Sequence, residues 1–145
     1  MNKVKAIDIA DYILNKCGSM SAMKLQKLIY YSQAWHLVWE DNPLFAEEIQ
    51  AWANGPVVPE LYKRHKGQFK VEANFFGGNI QNISQKSKEV IDKVLKFYAK
   101  KDSQWLSELT HLEDPWKLAR NGLADGDRGN HVISLESMAE YYSSI

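Results

Sequence analysis

Apolar residues recur every three or four positions along most of the chain, which is the spacing of a helix with one buried face. The first such segment, residues 7–17, ends at Gly18, and glycine is a common helix stop. The second, residues 22–39, is apolar almost all round after Gln26 and ends before Asn42-Pro43. A helix that is apolar on every side is buried, so we expect this one in the middle of the domain.

Later helices are predicted from the same spacing together with capping residues. They cover residues 59–65, a long amphipathic segment from Ser84 or Ser87 to Tyr98, residues 105–111 after Ser103, residues 116–121 after Asp114-Pro115, and a last helix from Ser134 to Tyr142. The sequence therefore predicts a mainly α fold, a single compact domain over residues 1–145 with about six helices and a small two- or three-stranded sheet.

Two segments favour strands. Residues 48–52 alternate polar and apolar positions, and residues 69–76 are the candidate to pair with them. We interpret Gly55-Pro56 as a strand-to-helix corner. Five tryptophans are expected at or near the core, with Trp52 and Trp116 as anchors of the fold; the five are Trp35, Trp39, Trp52, Trp105 and Trp116.

Composition narrows the possible functions. The 145 residues contain 18 Lys and Arg against 18 Asp and Glu, so no overall positive charge attracts nucleic acid, and we do not expect a nucleic-acid partner. The single Cys17 cannot form a disulfide within the chain. The longest apolar-rich run, residues 28–39, is shorter than the roughly 20 residues that span a bilayer, and the N-terminus lacks the apolar region of a signal peptide. We therefore expect a cytoplasmic protein without a membrane partner.

Catalytic and metal-binding motifs are absent from the sequence. It lacks the glycine-rich phosphate loops, the zinc-protease and nucleophile-elbow motifs and the paired cysteines that mark common active sites. A small hydrolase using His111, Glu113 and Arg120 is one alternative, although residues two apart on a helix face different sides. His36, within the central helix, is expected to be a hydrogen-bonded core residue. We expect no catalytic residue, no cofactor and no metal.

Two further alternatives start from polar segments. The loop from Asp125 to Glu136 matches the EF-hand calcium loop at ligand positions one, three and twelve, but it has Gly129 at position five and Asn130 at the turn. We interpret it as a solvated connection. The basic run at residues 63–66 and the lysine face of the long helix could instead contact phosphate, which leaves a nucleic-acid-binding regulator as the runner-up function.

Three segments together resemble a known family: residues 24–37 (KLQKLIYYSQAWHL), 51–62 (AWANGPVVPELY) and 109–120 (LTHLEDPWKLAR). The combination is similar to the Panacea domain family of SocA-like antitoxins, which includes phage-associated proteins of the GepA type. This resemblance implies a mostly helical, non-catalytic domain that neutralises an adjacently encoded toxin by direct binding. In at least one member, it also implies delivery of the toxin as an adaptor to a protease, which could be of the AAA+ class.

The resemblance leaves the binding face open, and we assign most residues of these segments to the fold. Toxin contacts are expected on exposed positions between them. The candidate partner-binding residues are Asn54 and Gly55 at the corner and Arg120 at the exposed end of the Trp116 helix.

Overall fold

A computed structural model describes residues 3–145, and it contains seven α-helices and two small sheets over that range. The helices are α1 (Ala6–Cys17), α2 (Ala22–Glu40), α3 (Pro59–His65), α4 (Gln85–Tyr98), α5 (Ser103–Leu112), α6 (Asp114–Arg120) and α7 (Leu135–Ser143). The strands are β1 (Met20–Ser21), β2 (Gln50–Trp52), β3 (Gly55–Val57) and β4 (Lys70–Val71), and a 3₁₀ helix covers Ile80–Asn82. The mainly α fold predicted from the sequence is confirmed.

Helix α2 is the centre of the domain. It contacts α1, α4, α5 and α7, and most of its residues are buried. The Ser21 hydroxyl accepts a hydrogen bond from the Lys24 amide (3.1 Å) at its start, and Asp41 ends it in the left-handed conformation with φ 59°. His36 is 3% exposed, and its ring nitrogens bond the Asn42 carbonyl and the Ser87 hydroxyl at 2.7 and 2.8 Å. The predictions of a central helix and of a hydrogen-bonded core histidine are both confirmed.

The strand pairing differs from the prediction. β2 pairs with β3 as an antiparallel hairpin in which Trp52 lies opposite Gly55, whereas β4 pairs with β1. The predicted pairing of residues 48–52 with 69–76 is therefore wrong, and so is the strand-to-helix corner, because Gly55 begins a strand. Gly55 has φ 124°, a conformation that residues with a side chain rarely adopt, and this permits the tight return of the chain after Asn54.

A third extended segment runs beside β2. The Ala51 amide donates to the His131 carbonyl and the Ile133 amide donates to the Ile49 carbonyl, both at 2.8 Å. The loop that precedes this segment is thereby brought against the hairpin.

The tryptophans differ in burial, and Trp52, expected as an anchor of the fold, is only partly buried, as is Trp35. Trp116 is 3% exposed, as expected of a core anchor, but Trp39 is 45% exposed and Trp105 is 38% exposed. The expectation of core positions for these two is wrong, since Trp39 lies in the last turn of α2 and Trp105 in the first turn of α5. Among residues 3–145, no helix combines the length and apolar character needed to cross a membrane.

Candidate partner-binding groove

A groove of about 590 Å³ lies between the β2–β3 hairpin, α2 and the loop before residue 131. It is lined by residues of three separate parts of the chain: Met23, Gln50, Trp52, Ala53, Asn54, Arg128, Gly129 and Asn130. We call this set the hairpin groove. Arg128 is the one charged side chain in it, so the groove combines an apolar floor with a cationic rim.

Trp52 forms the floor of the hairpin groove. Its ring packs edge-to-face against Tyr62 with centroids 4.9 Å apart, and its indole nitrogen donates to the Gln50 side chain at 2.8 Å. Its carbonyl accepts a hydrogen bond from the Trp116 indole at 2.8 Å. Trp52 is only partly buried, so the backbone of this residue belongs to the fold while the ring is open to a partner.

Arg120 is buried and holds the loop that lines one side of the groove. It is 2% exposed, and its guanidinium donates to the carbonyls of Ala51 (3.2 Å), Ala124 (2.8 Å) and Asp127 (2.7 Å). The expectation of an exposed Arg120 is therefore wrong. The side chain folds back from the end of α6 and donates hydrogen bonds to the loop carbonyls. These bonds draw the loop of residues 124–130 against β2.

Gly129 permits this close approach of the loop. A Cβ atom at this position would lie 2.9 Å from an Arg120 guanidinium nitrogen and 2.7 Å from the Leu123 side chain. Asp125 and Asp127, which resemble calcium ligands in the sequence, accept hydrogen bonds from Arg120 through their backbone carbonyls. The loop is thus organised by a guanidinium in its interior.

The two other predicted site residues differ from each other. Asn54 is exposed at the turn of the hairpin and lines the groove, and its carbonyl accepts a hydrogen bond from the Ser107 hydroxyl. Gly55 is buried beneath it: a Cβ there would lie 2.5 Å from Lys27 Cε and 3.1 Å from Thr110 Oγ1. Of the three predicted partner-binding residues, only Asn54 presents its side chain to the groove.

The residues of the hydrolase alternative have mostly different hydrogen-bond partners. Glu113 accepts hydrogen bonds from the hydroxyls of Tyr31 and Tyr142, both at 2.7 Å, and burial raises its pKa. The His111 ring stacks on Trp116 with centroids 4.0 Å apart, and burial lowers its pKa. Arg120 also lies over the Trp116 ring, 5.1 Å from its centre, but no hydrogen bond joins His111, Glu113 and Arg120 to one another within residues 3–145.

Sequence reasoning missed the loop side of the groove. The sequence analysis interprets Arg128 and Asn130 as part of a solvated connection and does not single out Met23. The loop is brought against the hairpin by Arg120 and by the strand-like hydrogen bonds of residues 131–133. No local sequence pattern predicts these contacts. The Asn54-Gly55 dipeptide between apolar residues is the one signal that could have indicated the hairpin.

Comparison with known proteins gives one match. The family model described as antitoxin SocA-like, Panacea domain, matches residues 25–117. The chain belongs to this family. The matched Panacea region contains the whole β2–β3 hairpin, whereas the loop of residues 124–130 lies outside it. No curated protein and no solved structure matches the chain.

Proposed function

We propose that this Panacea protein acts as a single cytoplasmic domain that neutralises an adjacently encoded toxin by binding it directly, with the hairpin groove as the contact surface. Family membership supports the antitoxin role. The observation that carries the choice of surface is the partly open Trp52 ring, which is fixed at the floor of a groove of about 590 Å³. Rigid tryptophans of this kind dominate binding energy at protein interfaces.

The chemistry of the groove indicates what part of a toxin it accepts. The Trp52 ring and Met23 offer an apolar contact, Asn54 offers amide hydrogen bonds, and Arg128 at the rim favours a carboxylate. A protruding loop or helix end with one apolar side chain beside an acidic one fits this arrangement. Binding in the groove requires no catalytic residue. This agrees with the arrangement of His111 and Glu113, which are not hydrogen-bonded to each other within residues 3–145.

Two tryptophans distinguish a binding role from a structural one. Trp116→Ala removes a buried ring, so it should lower the melting temperature and toxin binding together. Trp52→Ala removes a partly open ring, so binding should fall by far more than the accompanying change in stability explains. A Trp52→Ala protein that still binds the toxin with native affinity would refute the groove as the contact surface.

Rescue of growth separates binding from catalysis. Co-expression of the native protein with its neighbouring toxin should restore growth, and the folded variants His111→Ala and Glu113→Gln should restore it equally. Loss of rescue in both variants, with toxin binding intact, would indicate the hydrolase alternative. A complex with the protein's own promoter DNA that survives physiological salt would indicate the regulator alternative.

A further inference from the structure

A second surface lies where the end of α2 meets α4. Trp39 and Phe97 are 45% and 52% exposed, and two aromatic neighbours, the partly buried Trp35 and the buried Tyr98, connect them. Trp35 stacks on Trp39 with centroids 5.1 Å apart and donates its indole hydrogen to the Tyr98 hydroxyl at 3.1 Å. The Tyr98 ring in turn packs edge-to-face on Phe97 at 4.7 Å. The two exposed rings are therefore held by a rigid aromatic base.

Lysines lie among these exposed rings. Lys93 is one helical turn before Phe97, so the two side chains are neighbours on α4, and its ammonium lies 5.6 Å from the centre of the Trp39 ring. Lys101 lies 4.6 Å from the centre of the Trp105 ring, which is 38% exposed. We call Trp39, Lys93, Phe97, Lys101 and Trp105 the aromatic–lysine surface.

The charge of this surface is not balanced locally. Three carboxylates lie nearby: Asp92 bonds Tyr12 (2.8 Å) and pairs with Lys16 (3.8 Å), Asp102 accepts the Trp105 amide at the start of α5, and Glu89 lies one turn before Lys93 on α4. No carboxylate in residues 3–145 lies within ion-pair distance of Lys93 or Lys101. Further lysines at positions 96 and 100 of this region are exposed. Residues 93–101 thus contain four lysines and no carboxylate, so this stretch of the surface is positively charged although the chain as a whole is neutral.

We propose that the aromatic–lysine surface binds an acidic segment of a partner protein that also carries an apolar side chain. The exposed Trp39 and Phe97 rings supply the apolar contact, and the surrounding ammonium groups attract and orient the carboxylates. The proposal concerns a surface formed by α2, α4 and α5 side chains other than those of the hairpin groove, and it is independent of the toxin.

The geometry favours a peptide over nucleic acid. Single-stranded nucleic acid binds by stacking bases on free aromatic faces. Trp39 has Trp35 stacked on it and Lys93 over its ring, and Lys101 lies over the Trp105 ring. The ring edges and the Phe97 side chain remain for an apolar side chain of a peptide.

A second copy of the chain is also disfavoured. A two-fold symmetric contact would place this surface against itself and bring Lys93 and Lys101 of one copy close to the same lysines of the other. Like charges at that distance oppose association.

The test uses fluorescence anisotropy of a labelled peptide of alternating glutamates and leucines, titrated with the full chain. We expect binding that weakens as salt is added and that falls about tenfold or more, equivalent to about 1.4 kcal/mol, in both Lys93→Glu and Phe97→Ala. The matched controls are Lys63→Glu, an exposed lysine of α3, and Phe69→Ala, an exposed phenylalanine; both should bind like the native protein.

Several results would overturn the proposal: no binding of the acidic peptide, equal binding of a peptide with lysine in place of glutamate, or equal losses in the control variants. Tighter binding of oligothymidine than of the peptide would assign the surface to nucleic acid. If the native protein sediments as a dimer and Phe97→Ala sediments as a monomer, the surface would be assigned to self-association. None of these measurements includes the toxin, so their failure leaves the proposed antitoxin function unaffected.

Discussion

Replacing Lys27 with methionine is expected to stabilise the protein at neutral pH. Lys27 lies on α2 beneath the hairpin, is 1% exposed, and has no carboxylate within ion-pair distance in residues 3–145. Burial lowers the pKa of its ammonium from 10.5 to about 8. Folding at neutral pH therefore places a charge in the interior without an opposite charge beside it, which destabilises the native state.

The size of the effect follows from the change in pKa. The difference between 10.5 and about 8 corresponds to about 3 kcal/mol at about 1.36 kcal/mol per pKa unit. Because the folded-state pKa is the lower one, the unfolded chain binds more protons between these two values, and the stability of the native protein rises with pH across that window. Below pH 8 the full penalty is present, and above 10.5 it is absent.

The assay is urea unfolding of native protein and Lys27→Met across this pH range. Methionine has a similar length and no charge, so it should gain up to about 3 kcal/mol over the native protein at pH 7 and under about 1 kcal/mol at pH 10. Lys63→Met is the control, because that side chain is 70% exposed and its loss should change stability by about 0.5 kcal/mol or less. A Lys27→Met protein that is less stable than native at pH 7, or whose advantage is the same at pH 10, would refute this account of Lys27.

Three further predictions concern buried residues of the fold. Trp116→Ala should lower the free energy of unfolding by about 3 to 5 kcal/mol, measured by urea titration, because it leaves a cavity and removes the bond to the Trp52 carbonyl. Arg120→Met should cost about 3 kcal/mol and speed amide exchange in residues 124–130, because the loop carbonyls lose a shared cationic donor. Glu113→Gln should gain stability relative to native as pH rises above 4.5, because burial raises the pKa of Glu113 and ionisation of the native carboxyl destabilises the fold; thermal melts at pH 4.5 and pH 7 check this.

Helical periodicity predicted what depends on local pattern. The apolar stretch of residues 22–39 identified the central helix, because a helix that is buried on all sides has apolar residues on all of its faces. The same reasoning failed at Trp39, since periodicity gives the face of a helix but not the point along it where the core ends. The exposure of Trp105 in the first turn of α5 has the same cause.

The hairpin and the groove depend on contacts between distant segments. The alternation of residues 48–52 indicated β2, but β3 has only three residues, too few to display alternation, and it contains Pro56, which is uncommon inside strands. The burial of Arg120 was also not predictable, because arginine is rarely buried and its partners are backbone carbonyls, which have no sequence signature. Asn54 is exposed as expected, although it lies at a hairpin turn and not at the predicted corner, and some of its neighbours in the groove are loop residues that only the folded chain brings near.

The central claim, that the hairpin groove binds the toxin, is tested most directly by calorimetric titration of the purified toxin into native protein and Asn54→Arg. The arginine places a long charged side chain at the mouth of the groove. Asn15→Arg is the matched control, because Asn15 is an exposed residue of α1 that does not line the groove. The account predicts that Asn54→Arg melts like the native protein and binds the toxin about tenfold more weakly or worse, a loss of about 1.4 kcal/mol or more, while Asn15→Arg binds normally. Native affinity in Asn54→Arg, or an equal loss in both variants, would contradict it.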